Sequence, residues 1–341
     1  MKKLSEHKTE IIAEIGQAHD GSLGILHSYI DALTEINVDT IKFQMHIADS
    51  ESSKFENFRV KFSYEDKTRF DYWKRMELSD NQWKEIKDHC ETNGVNFLCS
   101  PFSIEAIDIL QDMNVDRFKI GSGEISNYLM LDKISEFAEE IIISTGMSSY
   151  DEIDKCFNRY KDNQKKLTLM QCTSDYPVSL ENTGIQEIGI MKEKYNCKVG
   201  LSDHSGSIYP SLAAVMCGAN LVECHAVFNK KMFGPDTSSS LDLDDFKELV
   251  KGIRQIEKLK YSEFKKNEYA EAKIKQKELF GKSLSARIDL KKGDLIEIRS
   301  LEAKKPYGKG HPPNKYEEFL DRRLKKDIKK GEFLNLDDIE E

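Results

Sequence analysis

The amino-acid sequence predicts a (β/α)8 TIM barrel followed by a small β-rich domain, and three observations carry that expectation. Eight apolar runs each begin as a buried strand and finish in polar or charged residues. Helical periodicity separates the runs, and alternating strand and helix implies a parallel sheet. After residue 281 the pattern changes to short apolar strands with a repeated Lys-Lys-Gly turn. A doubly wound open sheet shares the alternation but gathers its polar residues at one switch point. Here every strand end carries them, as a closed barrel with its site at one rim requires.

In chain order the runs are Ile11–Gly16, Thr40–His46, Asn96–Phe102, Arg117–Glu124, Glu140–Gly146, Leu167–Pro177, Lys198–Ser205 and Leu221–Phe228. Helical patterns such as Ser79 to Glu91 and Ile104 to Met113 lie between them. A helix around Phe246 to Leu259 ends the barrel near Tyr261, in keeping with the usual length of about 250 residues for this fold. The expected organisation is a barrel over residues 1–262, a charged helix-prone linker over 263–280 and the small domain over 281–341. Within the last, Asp289 to Glu297 (DLKKGDLIE) returns as Asp327 to Asn335 (DIKKGEFLN), so the domain reads as two pseudo-symmetric halves. About 60 residues bury too little surface for comfortable independence, so this domain is expected to pack on a barrel, its own or a partner's. The loop Lys304 to Pro313 between the echoes carries Lys304, Lys305, Lys309 and His311. It reads either as a solvated basic turn or as a loop reaching over an active-site mouth to an anionic substrate.

Composition narrows the class. With 341 residues, 33% charged and 39% hydrophobic, the chain is long enough for two domains and a substantial core. A formal charge of −9 argues against non-specific nucleic-acid or membrane binding. The first dozen residues lack the apolar stretch of a signal peptide, and no apolar run approaches a membrane span, so the expected location is the cytoplasm. Seven cysteines without a Cys-x-x-Cys pair are not a disulfide framework, and most of them read as small buried hydrophobes.

Strand alternation then sorts the rim residues. On the second strand Lys42, Gln44 and His46 share one face while Ile41, Phe43 and Met45 share the other. A polar face on a buried parallel strand must line a wet cavity. Ser202 pairs with His204 on the seventh strand, and Glu223 with His225 on the eighth. These strands are neighbours in a barrel, so His204 and His225 can converge on one metal ion or be ordinary hydrogen-bonded histidines. Lys42 and Lys119 face the same mouth, with Ser100, Ser122 and Ser202 supplying hydroxyls. An anion between the two ammonium groups would satisfy both, and the Gly121 to Gly123 turn lets backbone donors approach. Alternatively each lysine reaches solvent or pairs with Glu124 or Asp203. Glu14 reads as a general base, an aldehyde-orienting group or a counter-ion for Lys42.

The runs Ala13 to Ser22 (AEIGQAHDGS), Lys42 to His46, Ser100 to Phe102, Arg117 to Glu124, Ser144 to Met147, Leu201 to Ser205, Glu223 to Phe228 and Phe233 to Asp236 together resemble the sialic acid synthase family in order and spacing. The tail is similar to the antifreeze-like (SAF) domain of that family, so the resemblance covers nearly the whole chain. It implies metal-dependent condensation of phosphoenolpyruvate with an N-acylated mannosamine-type sugar, giving a sialic-acid-type product and phosphate. By that resemblance Lys42, Ser100, Lys119, Ser122, Ser174 and Ser202 hold phosphoenolpyruvate. His204 and His225 bind a divalent metal, manganese or magnesium, and with Glu14 form the catalytic set. Gln44, Glu124, Tyr176 and Asp236, with Glu14, grip the acyclic sugar. The resemblance also implies a domain-swapped homodimer in which Lys305, at the position of a lid arginine, reaches the other subunit's site.

Three positions depart from the commonest family pattern. Ser174 stands where an asparagine is frequent. Lys305 lacks the bidentate fork of an arginine, which weakens the case for a standard substrate. Cys224 replaces a frequent basic residue and lies on the opposite strand face from His225, where only packing should change. A diacetamido-trideoxy hexose, giving a legionaminic- or pseudaminic-type product, is the alternative substrate, and a phosphorylated sugar would need extra cationic groups near Gln44 and Asp236. A reading from another class, a sugar-binding protein that has lost catalysis, would show tight phosphoenolpyruvate binding without turnover. The long segment Ile47 to Glu77, with Phe55, Phe58, Phe62, Tyr64, Phe70, Tyr72 and Trp73, reads as a surface helix packing its aromatics on the barrel or as a lid over the sugar pocket.

Overall fold

Eight parallel strands hydrogen-bond in sequence order and close on themselves, β1 to β2 through β8 and back to β1. They are β1 Glu10–Glu14, β2 Thr40–Met45, β3 Asn96–Pro101, β4 Arg117–Ile120, β5 Glu140–Ser144, β6 Leu167–Cys172, β7 Lys198–Asp203 and β8 Leu221–His225. The computed structural model describes residues 8–60, 62–160 and 167–340. The first seven residues, on which part of the signal-peptide reading rests, and Glu341 lie outside the described residues. Among the described residues no helix is long and apolar enough to cross a membrane. Each strand starts within one residue of where the sequence places it and stops one to five residues earlier, so the polar rim residues past the strand ends sit on the loops that follow.

The helices form the outer layer for local reasons. Ser22, Ser79, Ser103 and Ser149 each accept a hydrogen bond from a first-turn backbone N–H, and Ser79 and Ser149 close reciprocal capping boxes with Gln82 and Glu152. Their apolar stripes pack on the outward strand residues Ile41, Phe43, Met45, Cys99, Phe118, Ile143, Leu201 and Val222, which form one continuous core. Cys224 belongs to that outer layer, with its sulfur 3.2 Å from Ser211 Oγ, as its strand face requires.

Inside the barrel the residues stack in layers. Ile12, Leu98, Ile142, Met170 and Leu221 form an apolar plug. On its N-terminal side Arg117 donates to both carboxylate oxygens of Glu10 at 2.6 Å and to Glu140 at 2.6 Å. On the C-terminal side lie Lys42, Lys119 and Glu223, the floor of the cavity.

The chain divides into two compact units, Met1–Ser262 and Glu263–Glu341. The stretch read as a linker forms two short helices, Lys266–Ala272 and Ile274–Phe280, that group with the second unit. That unit also contains the antiparallel pair β9 Ser283–Ala286 and β10 Leu301–Lys304. Its internal echo is geometric as well as sequential. Lys291 Nζ and the Lys292 N–H bind Asp327 at 2.9 Å each, while Lys329 Nζ and the Lys330 N–H bind Asp289 at 3.2 and 2.8 Å. Leu290 and Ile328 exchange backbone hydrogen bonds at the pseudo-axis.

Candidate active site

A cavity of about 480 Å³ opens at the C-terminal ends of the barrel strands. Its floor is a buried charge cluster. Lys42 Nζ lies 3.1 Å from Glu14 Oε2 and 3.1 Å from Glu223 Oε1, and Lys119 Nζ lies 3.0 Å from the same Glu223 oxygen. Ser202 Oγ adds a third donor to that oxygen at 3.2 Å. The two ammonium groups are therefore neighbours, and the carboxylate between them is Glu223, not Glu124 or Asp203. Glu124 accepts from Asn127, and Asp203 turns to Ser205.

Burial shapes the proton affinities. It lowers the Lys119 ammonium, which shares one carboxylate and faces Lys42. Burial opposes the charge on Lys42 as well, but Glu14 and Glu223 outweigh it and hold that proton more firmly. Burial would raise the Glu223 carboxyl, yet Lys119 and Lys42 outweigh it and keep the carboxylate ionised.

Among the described residues the hydroxyls of Ser100 and Ser144 and the second oxygen of Glu223 are buried without a hydrogen-bond partner, and all three residues line the cavity. Unpaired buried polar atoms are costly, so a cavity that keeps several together is built for a polar ligand. Beside them Ser122 Oγ accepts from the Gly146 N–H at 3.0 Å. Glycine at position 146 lets these hydroxyls approach the backbone: a Cβ there would collide with Ser174 Oγ and stand 2.8 Å from Ser122 Oγ, so both would have to turn away.

Above the floor His204 and His225 face one another with ring centroids 5.3 Å apart, and the Tyr176 ring is 4.2 Å from His204. His204 Nδ1 is 3.1 Å from the Thr173 carbonyl, which can only accept, so Nδ1 carries the proton and Nε2 keeps its lone pair. Burial and then His225 lower the His204 pKa to about 3, leaving a neutral imidazole. Among the described residues no cluster of three or more His, Cys, Asp or Glu side chains could hold a metal. Two imidazoles with the remaining positions left to water or substrate oxygen is the donor set this site offers.

Gln44 donates to Glu14 Oε1 at 2.6 Å, and Gln44, Glu124, Tyr176 and Asp236 all line the cavity. Lys305 belongs to the second unit, where its ammonium stands 5.3 Å over the Phe280 ring. The segment Ile47 to Glu77 packs part of its aromatics together and adds side chains to the cavity wall. Tyr72, Trp73 and Met76 form a small core with Phe58, Phe62 and Phe70, and Arg59, Phe62, Arg69 and Trp73 also line the cavity.

Three site residues escape a reading of the sequence. Ser144 stands within the quoted run Ser144 to Met147, and its inward position on β5 was available from alternation. Glu223 shares a strand face with His225, but its role as the shared counter-ion depends on three strands meeting. Arg59 comes from a segment without periodicity, and its contact with Asp236 at 2.7 Å joins residues far apart in the chain. A cationic group does therefore lie beside Asp236.

The NeuB family model matches residues 29–265. The N,N'-diacetyllegionaminic acid synthase of Campylobacter jejuni is 34% identical over 333 residues, 96% of this chain and 99% of that protein. The human N-acetylneuraminate-9-phosphate synthase is 30% identical over 312 residues, 90% of this chain and 86% of that one. The solved structure of N-acetylneuraminic acid synthetase from Leptospira borgpetersenii, in complex with citrate, superposes with a TM-score of 0.70 at 25% identity, covering 79% of this chain and 92% of that one.

Proposed function

The chain belongs to the NeuB family, the sialic acid synthases, and from that premise we propose that it condenses phosphoenolpyruvate with an N-acylated mannosamine-type sugar, releasing phosphate and a sialic-acid-type nonulosonic acid. The observation that carries this reading is the cavity floor: two buried ammonium groups held on one carboxylate, beside buried hydroxyls without partners.

In this reading Lys42 and Lys119 meet the carboxylate and phosphate of phosphoenolpyruvate, with Ser100, Ser122, Ser144, Ser174 and Ser202 completing the donors. Glu223 keeps the lysines together and charged. Gln44, Glu124, Tyr176 and Asp236 align the acyclic sugar so that its aldehyde lies over carbon 3 of phosphoenolpyruvate. Glu14 orients Gln44 and Lys42. Carbon–carbon bond formation leaves positive charge at carbon 2, water adds there, and phosphate departs by carbon–oxygen cleavage. Losing one preorganised donor should cost about 3 kcal/mol, or roughly a hundredfold in rate.

A divalent cation fits His204 and His225. Both imidazoles face the cavity, and the floor's two carboxylates cancel its two ammonium groups, so the negative charges of phosphoenolpyruvate need a further cation. When bound there it would supply Lewis-acid polarisation of the sugar aldehyde. The proposal extends to the second unit as the family's antifreeze-like domain, supported by its paired Asp–Lys echo. It includes a homodimer in which Lys305 reaches the cavity of a second copy, and a solution mass of one chain would count against that part.

The test is inorganic phosphate released from phosphoenolpyruvate, with manganese or with chelator, across N-acetylmannosamine, mannose and diacetamido-trideoxy sugars. Metal-dependent release with an acylated sugar is expected. Tight phosphoenolpyruvate binding with silence across the panel would point to a binder without catalysis.

A further inference from the structure

On the outside of the barrel the helices Leu23–Glu35 and Asp80–Thr92 pack side by side and bring two histidines together. Nδ1 of His27 lies 2.7 Å from Nδ1 of His89, and neither ring lines the cavity. Spacing of four residues puts His27 and Asp31 on one face of the first helix, and Glu85 and His89 on one face of the second. Each ring is then pinned by a carboxylate from the opposite helix: His27 Nε2 meets Glu85 Oε1 at 3.0 Å, and His89 Nε2 meets Asp31 Oδ1 at 2.9 Å.

The hydrogen-bond inventory says what belongs between the rings. A carboxylate only accepts, so each Nε2 carries its ring's proton and each Nδ1 holds a lone pair. Two lone pairs do not face one another at 2.7 Å without a positive species between them. A proton joins the rings but leaves one of the two carboxylate charges unanswered. A divalent cation removes the repulsion and cancels both. Tetrahedral zinc, with bonds of roughly 2.0–2.1 Å to imidazole nitrogen, sets two ligand nitrogens about 3.4 Å apart. Reaching that separation takes a small turn of two side chains that are 25% and 24% exposed. Carboxylates on the far ring nitrogens are the partners that fix the tautomer and direction of metal-binding imidazoles.

We propose that His27 and His89 form a zinc site on the outer wall of the barrel, binding the ion through their two Nδ1 atoms, with water in the remaining positions and Glu85 and Asp31 orienting the rings. The ion ties one helix to the other. The first helix leads into β2 and the second into β3, so the tie spans both ends of the excursion Ile47 to Glu77. The site is separate from His204 and His225 and does not depend on the synthase reading.

Calorimetric titration of the full chain with zinc chloride tests this, with the exposed Cys217 changed to serine throughout to remove a competing thiol. H27Q and H89Q should each bind one zinc ion fewer than the parent, and H225Q should keep the ion that they lose. The difference between the parent and H89Q gives the same answer without altering His225. A cooperative unfolding transition in chelator shows that each variant is folded. D31A and E85A keep both ligand nitrogens but free the rings, and each should weaken this site by about tenfold to a hundredfold. Zinc should also raise the unfolding midpoint of the parent more than that of H89Q. Equal zinc stoichiometry in the parent, H27Q and H89Q would overturn the proposal and leave the rings sharing a proton. Affinity indifferent to D31A and E85A would equally overturn it, since the ion would then not sit between rings held by those carboxylates.

Discussion

At the cavity floor one oxygen of Glu223 receives Lys42 at 3.1 Å, Lys119 at 3.0 Å and Ser202 at 3.2 Å. Without that carboxylate, burial and Lys42 would both act on Lys119 unopposed, and its proton would leave at lower pH. E223Q should therefore lower kcat/KM for phosphoenolpyruvate by roughly a hundredfold and move the alkaline limb of the pH profile toward acid. Steady-state phosphate release against pH reads both effects. An unmoved alkaline limb would mean that another group keeps Lys119 charged. Much of this floor is legible in the sequence because period-two alternation decides which side chains face a barrel interior: Lys42, Ser100, Lys119, Ser202, His204 and His225 all line the cavity as alternation places them. What alternation does not reveal is which charge answers which. The sequence offered Glu124 or Asp203 for the lysines and Glu14 as a counter-ion for Lys42; Glu14 does pair with Lys42, while the carboxylate shared by both lysines is Glu223, set by strand register across the barrel.

Strands and helices were legible because each carries its own signal, an apolar run with a polar end or a serine cap before a periodic stripe. The segment Ile47 to Glu77 carries only a short signal of that kind, a Thr68–Asp71 capping box before the helix Arg69–Met76, and ion pairs such as Arg75 with Asp66 at 2.8 Å and with Asp20 at 2.7 Å tie that helix down. Its aromatics could be read as core or as lid from composition alone: Tyr72 and Trp73 pack with Phe58, Phe62 and Phe70, Phe62 and Trp73 also line the cavity, and Phe55 and Tyr64 are exposed. The opposite end of the barrel depends on another element-scale device. Arg117 bridges Glu10 on β1 and Glu140 on β5, and Thr168 on β6 donates to Glu140 at 2.8 Å. Burial would raise the Glu140 carboxyl, but Arg117 outweighs it and holds it below its ordinary value of 4.5. A carboxyl depressed in the folded state contributes stability that is complete above its unfolded value and is lost as pH falls through the folded one. E140Q should accordingly cost about 2 kcal/mol at neutral pH, and the gap from wild type should close as pH falls below the ordinary carboxylate range. Chemical denaturation at several pH values would show it, and a gap independent of pH would assign the loss to packing.

Across the whole molecule the two units differ in what binds them. Every residue lining the cavity belongs to Met1–Ser262, whereas Glu263–Glu341 has its own core of Leu284, Ala286, Leu290, Ile296, Phe319, Leu324, Ile328, Leu334 and Ile339. Scanning calorimetry should therefore resolve two transitions. Phosphoenolpyruvate at about a hundred times its Kd would stabilise the barrel by about 2.7 kcal/mol, which for a unit of this size raises its transition by roughly 5–10 °C. The smaller transition should stay where it is, since among the described residues the cavity's lining groups all come from the first unit. Adding an acylated sugar alditol distinguishes the role proposed for Lys305. If that ammonium reaches the sugar in a second copy's cavity, the smaller transition rises with the alditol, and K305A cancels that rise while the barrel keeps its shift from phosphoenolpyruvate. If the smaller transition ignores the alditol, the second unit takes no part in sugar binding, and the sugar is held by the barrel's own cavity wall alone.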